Sequence, residues 1–359
     1  MPDLDENREL LVVEGLLTDR PETNIIRLTK SLPLGKKSNI KPVLGCTVSI
    51  IDDIDNSWTL KEKGNGYYIT DSLKFRGVIG RKYTLQIQSH SSVLNNYSYE
   101  SLPMELKPVP PIDKLFWEKF LIEEGNEDYT PKEGCEIYLD THDDTRECNF
   151  FRWDFTETWE VALPFIVPNR VCWSTNESGS ILIKNTSLLS ETSVRRFPVN
   201  FISTATDRLK EKYSIIVNQY SINEEEYEYW EKMQRLTEHS GTLYDNIPFS
   251  VPGNIYCVED PTEKVLGYFS VSAKTSRRIF IEDSFSGIVQ LYNDCPISPP
   301  IPFEQPVPTL GINVWIIIDN SQEVPPSIIY TDKKFCADCT TRGTKIKPTF
   351  WDDDILNQR

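Results

Sequence analysis

The sequence predicts an all-β protein, and two observations carry that expectation. Apolar and polar residues alternate with period two along short segments: Tyr83, Leu85 and Ile87 against Thr84, Gln86 and Gln88, and Phe151, Trp153 and Phe155 against Arg152, Asp154 and Thr156. Successive side chains of an extended chain point to opposite faces, so each segment offers one face to a core and one to water. Turn-forming stretches recur between such segments, among them Asp52-Asp53-Ile54-Asp55-Asn56 and Lys63-Gly64-Asn65-Gly66.

Taken in order, residues 1–9 are a polar tail, and residues 10–107 carry seven expected strands. These are Leu10–Glu14, Ile25–Thr29, Thr47–Asp52, Trp58–Glu62, Tyr67–Thr70, Lys82–Ser89 and Tyr97–Met104. So many short strands in so short a span predict an immunoglobulin-like or prealbumin-like sandwich. Pro108-Val109-Pro110-Pro111 follows as a stiff, donor-poor connector, the composition expected of a domain boundary.

Residues 112–359 read as a larger, less regular β domain. Strands are expected at Cys135–Thr141, Asn149–Val161, Ser180–Lys184, Val199–Ile202, Tyr213–Tyr220, Gly267–Ala273, Arg277–Glu282 and Asn313–Asp319. One helix is expected near 222–239. Ser221-Ile222-Asn223-Glu224 has capping-box spacing, Ile222, Tyr229, Met233 and Leu236 form one stripe, and Gly241 is a stop signal. Cys295 to Pro308 is so proline-rich that it reads as loop or extended edge. The domain ends in a Cys-x-x-Cys tail.

Bulk properties narrow the function classes. A length of 359 residues favours two domains, and 39% hydrophobic content with 8 Trp, 16 Tyr and 16 Phe suffices for packed cores. A net charge of −16 repels phosphates, so no nucleic-acid partner is expected. No run reaches the ~20 apolar residues of a membrane-spanning helix, and Ile312 to Ile318 reads as a buried strand. Met1-Pro-Asp-Leu-Asp-Glu-Asn has neither a basic nor an apolar leader region, which fits a cytosolic protein or a chain that starts after a removed signal.

The eight cysteines favour the second. Cys336 and Cys339 form a C-x-x-C pair, but a four-thiolate zinc site needs a second such pair. Cys46, Cys135, Cys148, Cys172, Cys257 and Cys295 are scattered singly. A β-rich chain with an even count fits an oxidising compartment and one to four disulfides. Cys336 and Cys339 are expected to bridge either to each other or to distant partners such as Cys172 or Cys295.

Reactive chemistry is sparse. His90 lies at a polar strand end, His142 in an acidic turn and His239 at the helix end, with no G-x-S-x-G or comparable nucleophile motif. Acidic clusters at Asp52/Asp53/Asp55, Asp143/Asp144 and Asp352/Asp353/Asp354 lack calcium-loop spacing and read as solvated turns. Gly64-Asn65-Gly66 and Leu34-Gly35-Lys36-Lys37 lack phosphate-loop spacing. No catalytic residue, metal or cofactor is expected, and the protein reads as a non-enzyme. Aromatics are plentiful in the second unit, where Trp153, Trp159, Trp173, Tyr227, Tyr229 and Trp230 crowd together. Trp153 sits in a clean alternation and reads as core. Tyr227, Tyr229 and Trp230 lie on the acidic helix and are the candidate contacts for a partner or ligand.

Several motifs carry a family resemblance. They include Leu11-Val-Val-Glu-Gly-Leu-Leu-Thr18, Val43-Leu-Gly-Cys-Thr-Val48, Val78-Ile-Gly-Arg-Lys-Tyr-Thr-Leu85, Arg152-Trp153 and Cys172-Trp173. Further along come Arg208-Leu-Lys-Glu-Lys-Tyr-Ser214, Pro252-Gly-Asn-Ile255, Val265-Leu-Gly-Tyr-Phe-Ser270 and the Cys336–Trp351 tail, the most specific of them. The chain resembles the Bacteroidetes outer-membrane lipoproteins grouped as domain of unknown function 4249, over nearly its whole length. The resemblance implies export, a lipid anchor on an N-terminal cysteine, and placement at the outer membrane on the cell surface or periplasmic face. It also implies a neighbouring outer-membrane β-barrel partner, of the TonB-dependent receptor type. The expected role is a non-enzymatic accessory or binding subunit of such a complex; the alternative is a self-standing, adhesin-like module that holds glycan or peptide.

Overall fold

The residue alternation that predicts strands also sorts them into sheets. The computed structural model describes residues 9–31, 41–90, 94–123, 132–239, 251–302, 314–319 and 327–352. The expectations for Leu34–Lys37, Gly241, Asp353, Asp354 and the proline stretch from 303 onward lie outside these residues.

The first unit contains β1 (Leu11–Leu17), β2 (Ile25–Lys30), β3 (Lys41–Pro42), β4 (Cys46–Asp52) and β5 (Ser57–Thr59). It continues with β6 (Lys61–Gly64), β7 (Tyr67–Ile69), β8 (Lys82–Ser89), β9 (Ser98–Ser101) and β10 (Met104–Glu105). One sheet runs β1-β2-β7-β6 and the other β9-β8-β4-β5. These are the orders of the immunoglobulin sandwich, with A-B-E-D facing G-F-C and one added strand. Alternate residues meet between the sheets: Leu11, Val13 and Leu17 of β1 pack with Val48 and Ile50 of β4 and Leu85 and Ile87 of β8.

The second unit holds β11 (Ile112–Glu123), β12 (Lys132–His142), β13 (Phe150–Ala162), β14 (Val171–Glu177), β15 (Leu182–Asn185), β16 (Ser193–Ser203) and β17 (Tyr213–Ser221). After the helix α1 (Glu224–His239) come β18 (Ile255–Cys257), β19 (Val265–Val271) and β20 (Lys274–Ile281). Sheet β11-β12-β16 and sheet β14-β13-β17-β20 contribute Ile137, Leu139, Trp153, Val199, Ile215 and Ile281 to one core. A third, smaller cluster gathers around β21 (Ile301–Pro302), β22 (Trp315–Asp319), β23 (Ser327–Thr331) and the short helix α2 (Lys334–Ala337).

The sequence places one boundary at Pro108–Pro111 and assigns everything after it to the second unit. The strand pairing differs. β18 adds antiparallel to β9, and β19 lies parallel to β1, so residues 255–271 extend both sheets of the first sandwich. An open strand edge leaves backbone donors and acceptors unpaired, and these two strands satisfy them. A parallel pair requires a crossover, and here the crossover contains β11 to β17 and α1. Two glycines permit the approach. A Cβ on Gly267, whose φ is +90°, would lie 2.0 Å from the Val13 carbonyl oxygen, and one on Gly253 would lie 1.7 Å from the Gly267 oxygen. The Pro-Gly-Asn-Ile and Val-Leu-Gly-Tyr motifs thus mark a backbone contact. Asn254 completes it, accepting from the Phe269 N–H at 2.9 Å and donating to its carbonyl at 2.8 Å.

The proline connector is held rather than free. Gln219 donates to the Pro110 carbonyl at 2.8 Å and to Thr141 Oγ1 at 3.1 Å, and accepts from the Trp153 indole at 2.8 Å. The Arg208–Ser214 motif builds a second buried network. Arg208 Nη1 donates to both Glu157 oxygens at 2.7 and 2.9 Å, and the Tyr213 hydroxyl donates to Glu157 at 2.7 Å. A charge pair this deep holds only when its remaining lone pairs are satisfied, which Tyr213 does here.

Candidate functional site

The site grows from α1. Its cap is Asn223, whose Oδ1 accepts from the Glu226 N–H at 2.8 Å, and not the Ser221 box expected from spacing. Ser221 instead ends β17, buried and paired with Phe151, so it is committed to the sheet. Glu224, Glu225 and Glu226 fill the first turn, where negative charge complements the helix dipole. Glu228–Lys232 and Glu231–Arg235 pair along the wet side at 3.5 and 3.1 Å.

The opposite stripe, Glu226, Tyr229, Trp230 and Met233, faces the sandwich. Tyr229 packs against Tyr268 of β19 with ring centroids 4.8 Å apart and planes tilted by 38°, and burial pushes its phenol up to about 12. Glu226 is fully buried. Its Oε1 accepts from the Ser270 hydroxyl at 2.6 Å and from the Trp230 indole at 3.1 Å, while its Oε2 has no hydrogen-bond partner among the described residues. Burial raises its carboxyl above the usual range, partly offset by Ser270, Arg152 and Trp230. The indole so pinned carries the Arg152 guanidinium, centred 4.2 Å above its ring and 5.6 Å from the ring of Tyr220.

Helix and sheet do not close on one another completely. A cleft of about 710 Å³ lies between them. Its floor is the outward face of the first sandwich, with Val12, Leu16, Ile25 and Leu266, and its roof is Tyr229, Trp230, Met233 and Leu236. Arg27, paired with Glu14 at 3.4 Å, and Arg152 lie along its margin. This volume is in the range of small-molecule clefts, about 300–1,000 Å³.

Of the three aromatic candidates, the structure brings Tyr229 and Trp230 to this cleft. Tyr227 is not among its lining residues; it packs on Phe150 at 5.4 Å, half-buried. Tyr229 is buried, and Tyr227 and Trp230 are half-buried. Arg152 and Glu226 were not among the sequence candidates. Arg152 occupies a polar position of an alternating strand, and Glu226 hides in a run of three acids. The phase of Glu226 with Tyr229 and Met233, three and seven residues on, is the signal that finds it.

The two tail cysteines pair with distant partners, Cys172–Cys339 and Cys295–Cys336, with Cα atoms 5.6 and 6.0 Å apart. The bridge between Cys336 and Cys339 themselves is therefore excluded. Arg342 adds a fork onto Asp207 at 2.5 and 2.6 Å, joining the tail to the Arg208 motif. Cys46, Cys135, Cys148 and Cys257 remain free and buried. His142 Nδ1 sits 2.6 Å from Asp113 and His90 Nε2 2.9 Å from Thr47 Oγ1, on different units. Asp52 and Asp143 accept backbone N–H groups of their own turns at 2.8 Å. Among the described residues no cluster of three or more His, Cys, Asp or Glu is arranged to hold a metal ion. No described helix is long and apolar enough to cross a membrane.

A family model described as "Domain of unknown function (DUF4249)" matches residues 1–278. The chain belongs to that family. The match ends within β20, so the Cys336–Trp351 tail, ranked as the most specific motif by sequence, lies beyond it. No curated protein matches the chain.

Proposed function

For this member of the domain-of-unknown-function 4249 family, we propose a role as a non-catalytic binding subunit of the bacterial outer membrane. It is held there by an N-terminal lipid and works beside a β-barrel protein of the TonB-dependent receptor type. The setting rests on the resemblance drawn from the sequence motifs. The binding role rests on one observation: the aromatic stripe of α1 packs onto the first sandwich through Tyr229, yet leaves a cleft of about 710 Å³ beside Trp230, Met233 and Leu236. An open aromatic cleft on a rigid sandwich is a recognition architecture. The test is purification from native membranes under mild detergent. Wild-type protein that arrives with a β-barrel partner supports the accessory role, and protein that emerges alone at native expression levels refutes it.

A second reading, the self-standing glycan or peptide module, draws on another place. At the far edge of the first sandwich a cleft of about 570 Å³ is lined by Trp58, Ser57, Thr59 and Lys61. An aromatic platform ringed by hydroxyl and ammonium donors suits a sugar. Binding of soluble oligosaccharide by the isolated protein, lost in Trp58→Ala, would favour this reading.

A further inference from the structure

We propose that the α1 cleft binds a single-chain anionic amphiphile, with the apolar chain between α1 and the first sandwich and the anionic head on Arg152. This rests on the binding role proposed above and names the ligand class.

Two chambers meet here. The cleft of about 710 Å³ adjoins one of about 580 Å³, and Leu16, Ile25, Arg152 and Trp230 line both. Their characters differ. The first is walled by Val12, Met233, Leu236, Val251 and Leu266, whereas the second presents Glu22, Asp154, Glu177, Ser178 and Asn218. A ligand that fills both has an apolar part and a polar part, and the junction between them falls at Arg152.

Arg152 is suited to that junction. Three other guanidinium groups are matched to carboxylates: Arg208 to Glu157, Arg342 to Asp207 and Arg196 to Glu118. Among the described residues Arg152 makes no ion pair within 4.0 Å; its partners are the faces of Trp230 and Tyr220. Those rings hold the planar group in place and leave its N–H edge unmatched, and that edge is the part that forks onto carboxylate or phosphate. Glu226 feels the Arg152 charge through space, but the two form no ion pair within 4.0 Å: its Oε1 accepts from Ser270 and Trp230, and its Oε2 has no partner among the described residues. The surrounding protein carries a net charge of −16, so an anion is held here by local geometry and not by the overall field.

Calorimetry on the full chain decides the matter. Dodecanoate below its micelle concentration, dodecyl phosphate, dodecanol and acetate are compared on wild type, Arg152→Gln, Arg152→Lys and Met233→Trp. Dodecanoate or dodecyl phosphate is expected to bind one to one, about tenfold or more tighter than dodecanol. Whichever of the two binds tighter identifies the head as carboxylate or phosphate. Arg152→Gln should erase the advantage of the charged head, Arg152→Lys should retain part of it, and Met233→Trp should weaken every chain by filling the apolar chamber. Acetate should not bind measurably. Equal affinity for dodecanoate, dodecyl phosphate and dodecanol, affinity untouched by Arg152→Gln, or no binding of any probe would overturn the assignment. Co-purification with a β-barrel that persists while no probe binds sinks the ligand and spares the accessory role. Probe binding by a protein that purifies alone does the reverse.

Discussion

The first sandwich and the C-terminal tail solve the same problem of burial in opposite ways. The sandwich core draws large side chains from both sheets, including Tyr68, Tyr83, Tyr99 and Phe269, and leaves Cys46 and Cys257 in it as free thiols. The tail cluster is small, and four of its buried members, Cys172, Cys295, Cys336 and Cys339, are cysteines joined in two bridges. A core with enough apolar area holds without cross-links, whereas a small one needs staples. Cysteine chemistry in this chain therefore follows core size. Where packing suffices the thiol behaves as a small hydrophobe, and burial pushes the thiols of Cys135 and Cys148 in the second core up to about 12, far from reactivity.

The sharpest way to break this comparison is to remove the staples. Closing a 41-residue separation stabilises by about 4 kcal/mol in the chain-entropy picture, and the 167-residue one by about 5 when taken singly. A Cys172→Ala/Cys295→Ala variant should therefore lose amide-exchange protection in residues 327–352 while β1, β4 and β8 keep theirs. Equal loss in both regions would mean that the tail is a structural part of the sandwich. Thiol alkylation of denatured, unreduced protein should label four cysteines and spare the four that are bridged.

A smaller effect tests the other side. Phe269→Ala empties a fully buried ring position between the sheets and should cost about 3–5 kcal/mol of global stability by denaturant titration. Cys46→Ala, in the same core, should cost much less. If the two cost the same, the thiol has a role that packing does not explain.

The smallest effect concerns the acid buried beneath α1. The folded state raises the pKa of Glu226, so the neutral carboxyl is favoured there. Its contribution is fully present below the ordinary carboxylate range and is lost as pH rises through the raised folded value. Glu226→Gln keeps an acceptor for Ser270 and Trp230 without the ionisation. Relative to wild type it should gain nothing near pH 4. By pH 8 it should be the more stable of the two, with the gap opening as pH climbs out of the ordinary carboxylate range and then levelling off. Melting temperatures of both proteins across that range read the difference. A gap that stays flat with pH would show that Glu226 ionises freely and that its burial is incomplete in solution.

The parts of this structure that were legible in the sequence are those that depend on local alternation. β4, β8, β13 and β17 announce themselves because every second residue is buried along most of their length. β11 does not. Ile112 and Leu115 are its buried positions, and Phe120 and Leu121 sit about half exposed among Lys114, Glu118 and Lys119, so no period of two emerges. The role of β18 and β19 was illegible for another reason, since pairing across some 155 and some 250 residues is not a property of either segment. The aromatic half of the cleft, Tyr229 and Trp230, was visible from the helical stripe. Arg152 was hidden because a strand residue on the polar face reads as solvated until a helix from elsewhere is laid over it. For the cysteines, the sequence supplied the right four but left the partners open. α2 and the turn after it separate the two thiols, so that Cys336 reaches Cys295 and Cys339 reaches β14.

The parallel seam between β1 and β19 also sets a timetable. As the chain is synthesised, β1 emerges about 250 residues before its partner. At about 5–20 residues per second, that leaves roughly 12–50 s in which one edge of the nascent sandwich has no neighbour. An apolar strand with an open edge recruits other chains. A chain that has made β1 but not β19 therefore presents an open edge, and a holding chaperone would guard that interval. A ribosome-stalled chain ending at residue 260 should bind such a chaperone, and one extended past residue 300 should release it.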